Sequence, residues 1–320
     1  MVDAIDSKSI DRKVMRVQVS LPAQMKPKIL VILGPTATGK SDLAVKLALK
    51  YNGEIISADS RQVYRGMDLG TGKITKKEMR GIPHYILDIV KPNSIFNVSK
   101  YKVKAQKIIA DILKRNKLPI ICGGTGFYID AVVNNTNLPE VLPNPKLRKK
   151  LESKNCEQLM SLLQKLDKNI IKTIDSKNKR KIIRAIEIAT KLGGVPAIKS
   201  KPLYDAIQIG LIAPDKVLKD RIKARLVRRI RAGMLTEGQR LHNQGISWKR
   251  MENLGLEYRY IARYLNKQIT LNQMIEQLNS KIWQYARRQK TWFKRKKNII
   301  WYQIGPKTSK KIISNLIGKI

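Results

Sequence analysis

Residues 28–50 read KILVILGPTATGKSDLAVKLALK, and three kinds of local chemistry follow one another within them. The run 28–33 is apolar and of strand length. Residues 34–41, GPTATGKS, fit the pattern G-x-x-x-x-G-K-[ST]. Its glycines let the backbone curl until several N–H groups converge on phosphate oxygens, its lysine adds a charge, and its hydroxyl can hold Mg²⁺. From Ser41 the spacing of apolar residues turns helical. Strand, phosphate loop and helix open a P-loop sheet, so a di- or triphosphate is expected on Gly34, Pro35, Thr36, Ala37, Thr38, Gly39, Lys40 and Ser41, with Ser41 as the metal ligand. The loop alone does not name its ligand.

Outward from this unit, short apolar runs alternate with helical stretches: EIISAD (54–59), HYILDIV (84–90) and LPIICGG (118–124) as strands, residues 41–51 and 98–116 as helices. This is the βαβ grammar of a parallel sheet. The loop YRGMDLGTGK (64–73) is too rich in glycine for either element, and loops at strand C-termini commonly build the site. At LPEVLPNP (138–145) the composition shifts, and the polar helices expected over 146–166 come with no strand. DAIQIGLIAPD (205–215) resumes the sheet, a long helix runs from Lys216, and NIIWYQI (298–304) is a last strand before a closing helix. The fold expected is α/β: a P-loop NTPase-like parallel sheet core over 27–137 and 201–320, with a small all-helical insertion domain over 138–200. Residues 1–26 read as a loose N-terminal extension, and Met25 offers an alternative start.

The charge is the outlier: 65 Lys and Arg against 24 Asp and Glu give a formal +41, which favours a polyanionic partner, chiefly nucleic acid. Two cysteines, Cys122 and Cys156, and two histidines, His84 and His242, build neither a zinc site nor a disulfide framework, which fits a reducing cytoplasm. No apolar run approaches the roughly 18 residues of a membrane span, so no membrane association is expected.

Carboxylates at strand ends are the next requirement. Asp59 ends EIISAD and Asp88 lies within HYILDIV; either could organise a Mg²⁺ shell in an ordinary P-loop enzyme. The strand at 118–124 runs instead into GGTG, where Thr125 can offer a hydroxyl and N–H groups to phosphate. Asp59 is then free to act as a general base toward an incoming nucleophile, or simply to cap the following turn.

Taken together, GPTATGKS (34–41), ISADSRQVYRGMDLGTGK (56–73), GIPHYILDIV (81–90) and GGTGFYI (123–129) resemble the tRNA dimethylallyltransferases. The order continues through NKRKIIRAIEI (178–188), R-I-x-x-R at 221–225 and RRQKTWFKR (287–295), so the resemblance spans roughly residues 28–304. It implies Mg²⁺-dependent transfer of a dimethylallyl group from its diphosphate to the exocyclic N6 amine of the adenosine 3′ of the anticodon. The tRNAs concerned read codons that start with U, the product is N6-isopentenyladenosine, and the enzyme is expected to act as a monomer. By the same resemblance Asp59 is the base, and Lys40 and Thr125 join it in catalysis. Arg221 and Arg225, one helical turn apart, either add guanidinium donors to the diphosphate or form an exposed basic stripe.

An adenine stacked in a loop is out of reach, so the anticodon stem-loop must be held and the base extracted. Asp59, Ser60, Arg61, Gln62 and Thr125 match the family's tRNA-touching segments. Arg180, Lys181 and Arg184 match its N-x-R-R-x-x-R pattern, with Lys in place of a common Arg; Glu187 recurs with them on one polar helical face. Arg259 stands in LGLEYR, where relatives commonly carry G-I-G-Y-[KR]. Arg287 and Arg288 open a basic cluster around Trp292 and Phe293, which read as core aromatics. The alternative is an adenylate isopentenyltransferase acting on a free nucleotide, which would have no use for a charge of +41 or a helical insertion.

Overall fold

The computed structural model of the chain describes residues 26–318 and residue 320; the expected N-terminal extension and the alternative start at Met25 lie outside the described residues, Lys26 apart. The chain folds in the order β1 (Lys28–Leu33), α1 (Lys40–Lys50), β2 (Gly53–Ala58), α2 (Lys76–Met79), β3 (His84–Tyr85), α3 (Val98–Lys114), β4 (Leu118–Gly123), α4 (Gly126–Val133). Then come α5 (Pro145–Glu152), α6 (Cys156–Leu166), α7 (Lys179–Leu192), β5 (Asp205–Ile212), α8 (Asp215–Arg231), α9 (Met234–Asn243), α10 (Trp248–Leu254) and α11 (Leu256–Leu265). The long α12 (Leu271–Lys294), β6 (Ile299–Gln303) and α13 (Thr308–Leu316) close the chain. Among the described residues no helix is long and apolar enough to cross a membrane.

All six strands run parallel in the order β3-β2-β4-β1-β5-β6. Parallel sheets need cover on both faces, and the near-continuous apolar runs of β1 and β4 supply it. Leu30, Ile32, Ile55 and Ile120 face α1 and α13. Ile29, Val31, Leu33, Ile56 and Ile121 face the larger core built with α3, α4 and α8 to α12. The register sets the ends of three strands level: Gly123 of β4 pairs with Leu33 of β1 on one side and with Ala58 of β2 on the other. The loops beginning at Gly34, Asp59 and Gly124 therefore leave the sheet side by side, at the carboxyl ends where parallel sheets bind ligands.

The run HYILDIV is not one strand. Only His84–Tyr85 pairs with β2, because Ile86 and Asp88 take left-handed backbone (φ 63° and 54°) and turn the chain out of the sheet. Asp88 ends as an ion-pair partner of Lys73 rather than in the phosphate site. Helices α5 to α7, with a 3₁₀ turn at Ile170–Lys172, enclose a cluster of their own, with Leu151, Leu159, Leu163, Ile182 and Ile186 at its centre.

Candidate active site

The phosphate loop departs from β1 with no room beside it. A Cβ on Gly34 would lie 2.4 Å from the Leu211 carbonyl oxygen of β5, and φ is 139°. Two contacts pin the loop's first limb: the Thr36 N–H donates to Gln289 Oε1 at 2.9 Å, and Arg225 donates to Thr36 Oγ1 at 3.3 Å. The second limb is open. Among the described residues, the N–H groups of Ala37, Thr38, Gly39, Lys40 and Ser41 have no hydrogen-bond partner. They stand at the N-terminus of α1, where the helix end and unpaired amides favour an anion.

Lys40 Nζ donates to the Pro35 carbonyl of its own loop at 2.6 Å. Burial lowers its pKa from 10.5 to about 8, Arg225 pushing the same way and Asp59 and Cys122 opposing. An ammonium so desolvated gains more from an arriving anion than a hydrated one. Cys122, buried beneath the loop, is pushed up by burial to about 12 and is no nucleophile.

Asp59 follows the last residue of β2, and its Oδ1 accepts the N–H groups of Arg61 (2.8 Å) and Gln62 (3.4 Å). The turn-capping role is therefore present and fixes the carboxylate, while Oδ2 has no partner among the described residues. From β4 the GGTG turn comes equally close. The Thr125 N–H donates to the Ala58 carbonyl, and Thr125 Oγ1 accepts from the Ser60 N–H, both at 3.1 Å. Gly123 makes this possible, since a Cβ there would sit 2.2 Å from the Ala58 carbonyl oxygen. Gln62 is drawn inward, its Nε2 donating to the Gly72 carbonyl at 3.4 Å, whereas Arg61 is exposed.

The glycine-rich loop after β2 is held by groups that no motif announces. Glu237 of α9, only 6% exposed, accepts the N–H groups of Asp68, Leu69 and Gly70 at 2.8–2.9 Å and the Tyr258 hydroxyl at 2.7 Å. Arg229 donates to the Leu69 and Gly70 carbonyls and pairs with Glu257 at 3.1 Å. Arg225 reaches the Gly72 carbonyl at 2.9 Å, and burial lowers its pKa. It thus joins this loop to Thr36. Arg221, one turn earlier on α8, is exposed and not part of this cluster. The face of α8 that meets the loop begins at Arg225, so the pair brought to the site is Arg225 and Arg229. Isolated arginines on a basic helix carry no signal separating these three.

Elsewhere the basic residues divide. Arg180 and Lys181 on α7 and Arg287 and Arg288 on α12 are exposed. Arg184 instead turns inward, donating to the Val141 carbonyl at 2.7 Å and to Glu187 at 3.2 Å. Glu187 is no member of a polar face: it is 3% exposed and also pairs with Arg148 at 2.7 Å. Arg259 donates to the Glu252 carbonyl at 3.2 Å. Phe293 is core, but Trp292 is 37% exposed, lying over Gly126 with its indole N–H donating to Asp130 at 3.0 Å.

Residues 62–296 match the IPP transferase family. A tRNA dimethylallyltransferase of Syntrophus aciditrophicus is 41% identical over 288 residues, covering 87% of this chain and 94% of that protein. One from Staphylococcus carnosus is 36% identical over 308 residues, covering 92% and 97%. The crystal structure of a full-length tRNA isopentenylpyrophosphate transferase from Bacillus halodurans superposes with a TM-score of 0.70 at 36% identity, covering 92% of this chain and 96% of that one.

Proposed function

The chain belongs to the IPP transferase family, and from that premise we propose that it moves a dimethylallyl group from dimethylallyl diphosphate to the N6 amine of the tRNA adenosine 3′ of the anticodon, in tRNAs reading codons that start with U. One observation carries the reading: a fixed carboxylate with one unspent oxygen stands level with a phosphate loop whose second limb holds five unspent N–H groups. The first suits an acceptor that must lose a proton, the second a donor that must lose diphosphate.

An exocyclic adenine amine is a poor nucleophile, so Asp59 Oδ2 accepts its proton as the new C–N bond forms. The allylic C–O bond breaks as negative charge gathers on the diphosphate. Lys40, the amides of Ala37 to Ser41, the Thr125 hydroxyl and Arg225 are preorganised to meet that charge. The Ser41 hydroxyl, on the first turn of α1, would hold Mg²⁺. Among the described residues no three His, Cys, Asp or Glu gather as a metal cage, and Mg²⁺ does not require one, since it keeps waters and leans on substrate phosphates. Bound there, it would neutralise diphosphate charge.

The tRNA is held through its phosphates by the exposed Arg61, Arg180, Lys181, Arg287 and Arg288, while Ser60, Gln62 and Thr125 flank the base beside Asp59. Arg184 and Arg259, whose guanidinium groups are already engaged within the protein, shape those surfaces. The test is direct: purified protein with dimethylallyl diphosphate and unmodified tRNA should form N6-isopentenyladenosine. Prenylation of free adenosine monophosphate with tRNA left untouched would establish the free-nucleotide alternative instead.

A further inference from the structure

Gln289 is 7% exposed, and both ends of its amide are spent on backbone, one in each phosphate-facing loop. Its Oε1 accepts the Thr36 N–H of the loop after β1, and its Nε2 donates to the Gly124 carbonyl of the loop after β4, each at 2.9 Å. The fit leaves no slack: a Cβ on Gly124 would lie 2.2 Å from Nε2. Neighbours at helical spacing on α12 bear on the same turn. Trp292, one turn later, lies where a Cβ on Gly126 would come within 2.3 Å, and Tyr285, one turn earlier, lies near Thr125. Arg287 and Arg288 are exposed between them.

We propose that Gln289 is a positioning residue that sets the spacing between the diphosphate loop and the turn carrying Thr125, and so between the leaving group and the acceptor beside Asp59. The proposal rests on the transferase reading above. Parallel strands fix where the two loops start, but β1 and β4 hydrogen-bond only as far as Leu33 and Gly123. Beyond that level the loops need a bridge of their own. A primary amide supplies one acceptor and one donor on a single plane, which matches one free N–H and one free carbonyl facing each other. Thr36 is then held from both sides, its N–H by Gln289 and its hydroxyl by Arg225. The rigid first limb leaves the amides from Ala37 onward aimed at the ligand.

Gln289→Met keeps length and volume while removing both hydrogen bonds; Gln289→Glu keeps the acceptor for Thr36 and removes the donor to Gly124. Loosening a reacting geometry by about an ångström costs on the order of 100-fold in rate. We expect that loss in kcat for Gln289→Met, with weaker inorganic pyrophosphate binding and unchanged tRNA affinity, and a kcat for Gln289→Glu between the two. The unpaired Thr36 N–H and Gly124 carbonyl should lower the melting temperature by a few degrees while the folded fraction at the assay temperature stays native. Wild-type kcat in a folded Gln289→Met overturns the proposal, as does a loss tracked entirely by a lower melting temperature and folded fraction. If Gln289→Met does not fold, Gln289→Glu decides: lowered kcat per folded molecule at native tRNA affinity supports the assignment, and wild-type kcat ends it. Wild-type protein that prenylates no tRNA overturns the functional reading itself, which the Gln289 comparison cannot mimic.

Discussion

The two ends of the sheet use their polar groups in opposite ways. At the amino-terminal end, Glu54 of β2 is 1% exposed and wholly engaged, taking a bidentate Arg115 (2.6 and 2.7 Å), Lys117 (2.7 Å) and the Tyr85 hydroxyl (2.8 Å). At the carboxyl-terminal end of the same strand, Asp59 keeps one oxygen unspent beside five unspent amides. A buried carboxylate with every lone pair engaged fixes structure. One with capacity left over, in a fixed frame, can do chemistry.

Breaking each end in turn should separate the two roles. Asp59→Asn, which keeps the Oδ1 acceptor for Arg61 and Gln62 but cannot take a proton, should lower prenyl-transfer turnover about 1000-fold, the middle of the range for a general base, while tRNA affinity in a filter-binding assay and the melting temperature stay native. Undiminished turnover would reassign the base. Glu54→Ala should do the reverse. Denaturant titration should show a loss of about 2 kcal/mol, Arg115 and Lys117 being exposed enough to rehydrate, with kcat per folded molecule unchanged.

Titration sharpens the contrast. The hydrogen bond from Arg115 leads in pulling Glu54 down from 4.5 to about 2, against burial. Its contribution to stability is present above pH 4.5 and should fade as the pH falls from there toward about 2, as acid unfolding of wild type against Glu54→Gln would show. Lys40 moves at the other end of the scale. Its folded pKa of about 8 lies below 10.5, so the unfolded chain holds an extra proton between the two and stability gains with pH across that window. Binding runs the other way: pyrophosphate affinity should fall as the pH passes about 8, with proton uptake on binding visible by calorimetry in buffers of different ionisation heat. The smallest effect expected is Arg61→Ala, lowering the salt slope of tRNA binding by about one.

What the sequence makes legible follows from range. The phosphate loop, the strands β1, β2 and β4, Asp59 and the GGTG turn are local patterns, and the three strands recur within a residue of the expected ends. HYILDIV misleads because hydropathy cannot register left-handed backbone at Ile86 and Asp88. Glu187 misleads in the same way: helical spacing places it on a polar face, yet Arg148, far from it in the chain, takes it into the interior. Glu237, Arg229 and Gln289 stay hidden because each acts on a loop more than 150 residues away. The one local trace is Gln289 within RRQKTWFKR, where an uncharged amide interrupts a basic run.

Lys40 resting on the Pro35 carbonyl bears on how a catalytic cycle ends. A buried ammonium abandoned by departing pyrophosphate would be a bare charge in a poorly solvated place, and product would cling to it. Here the cation has an acceptor waiting in its own loop, so egress exchanges one oxygen for another. On the transferase reading proposed above, this resting contact would ease product release, keeping a site that attracts polyphosphate from becoming a trap for it.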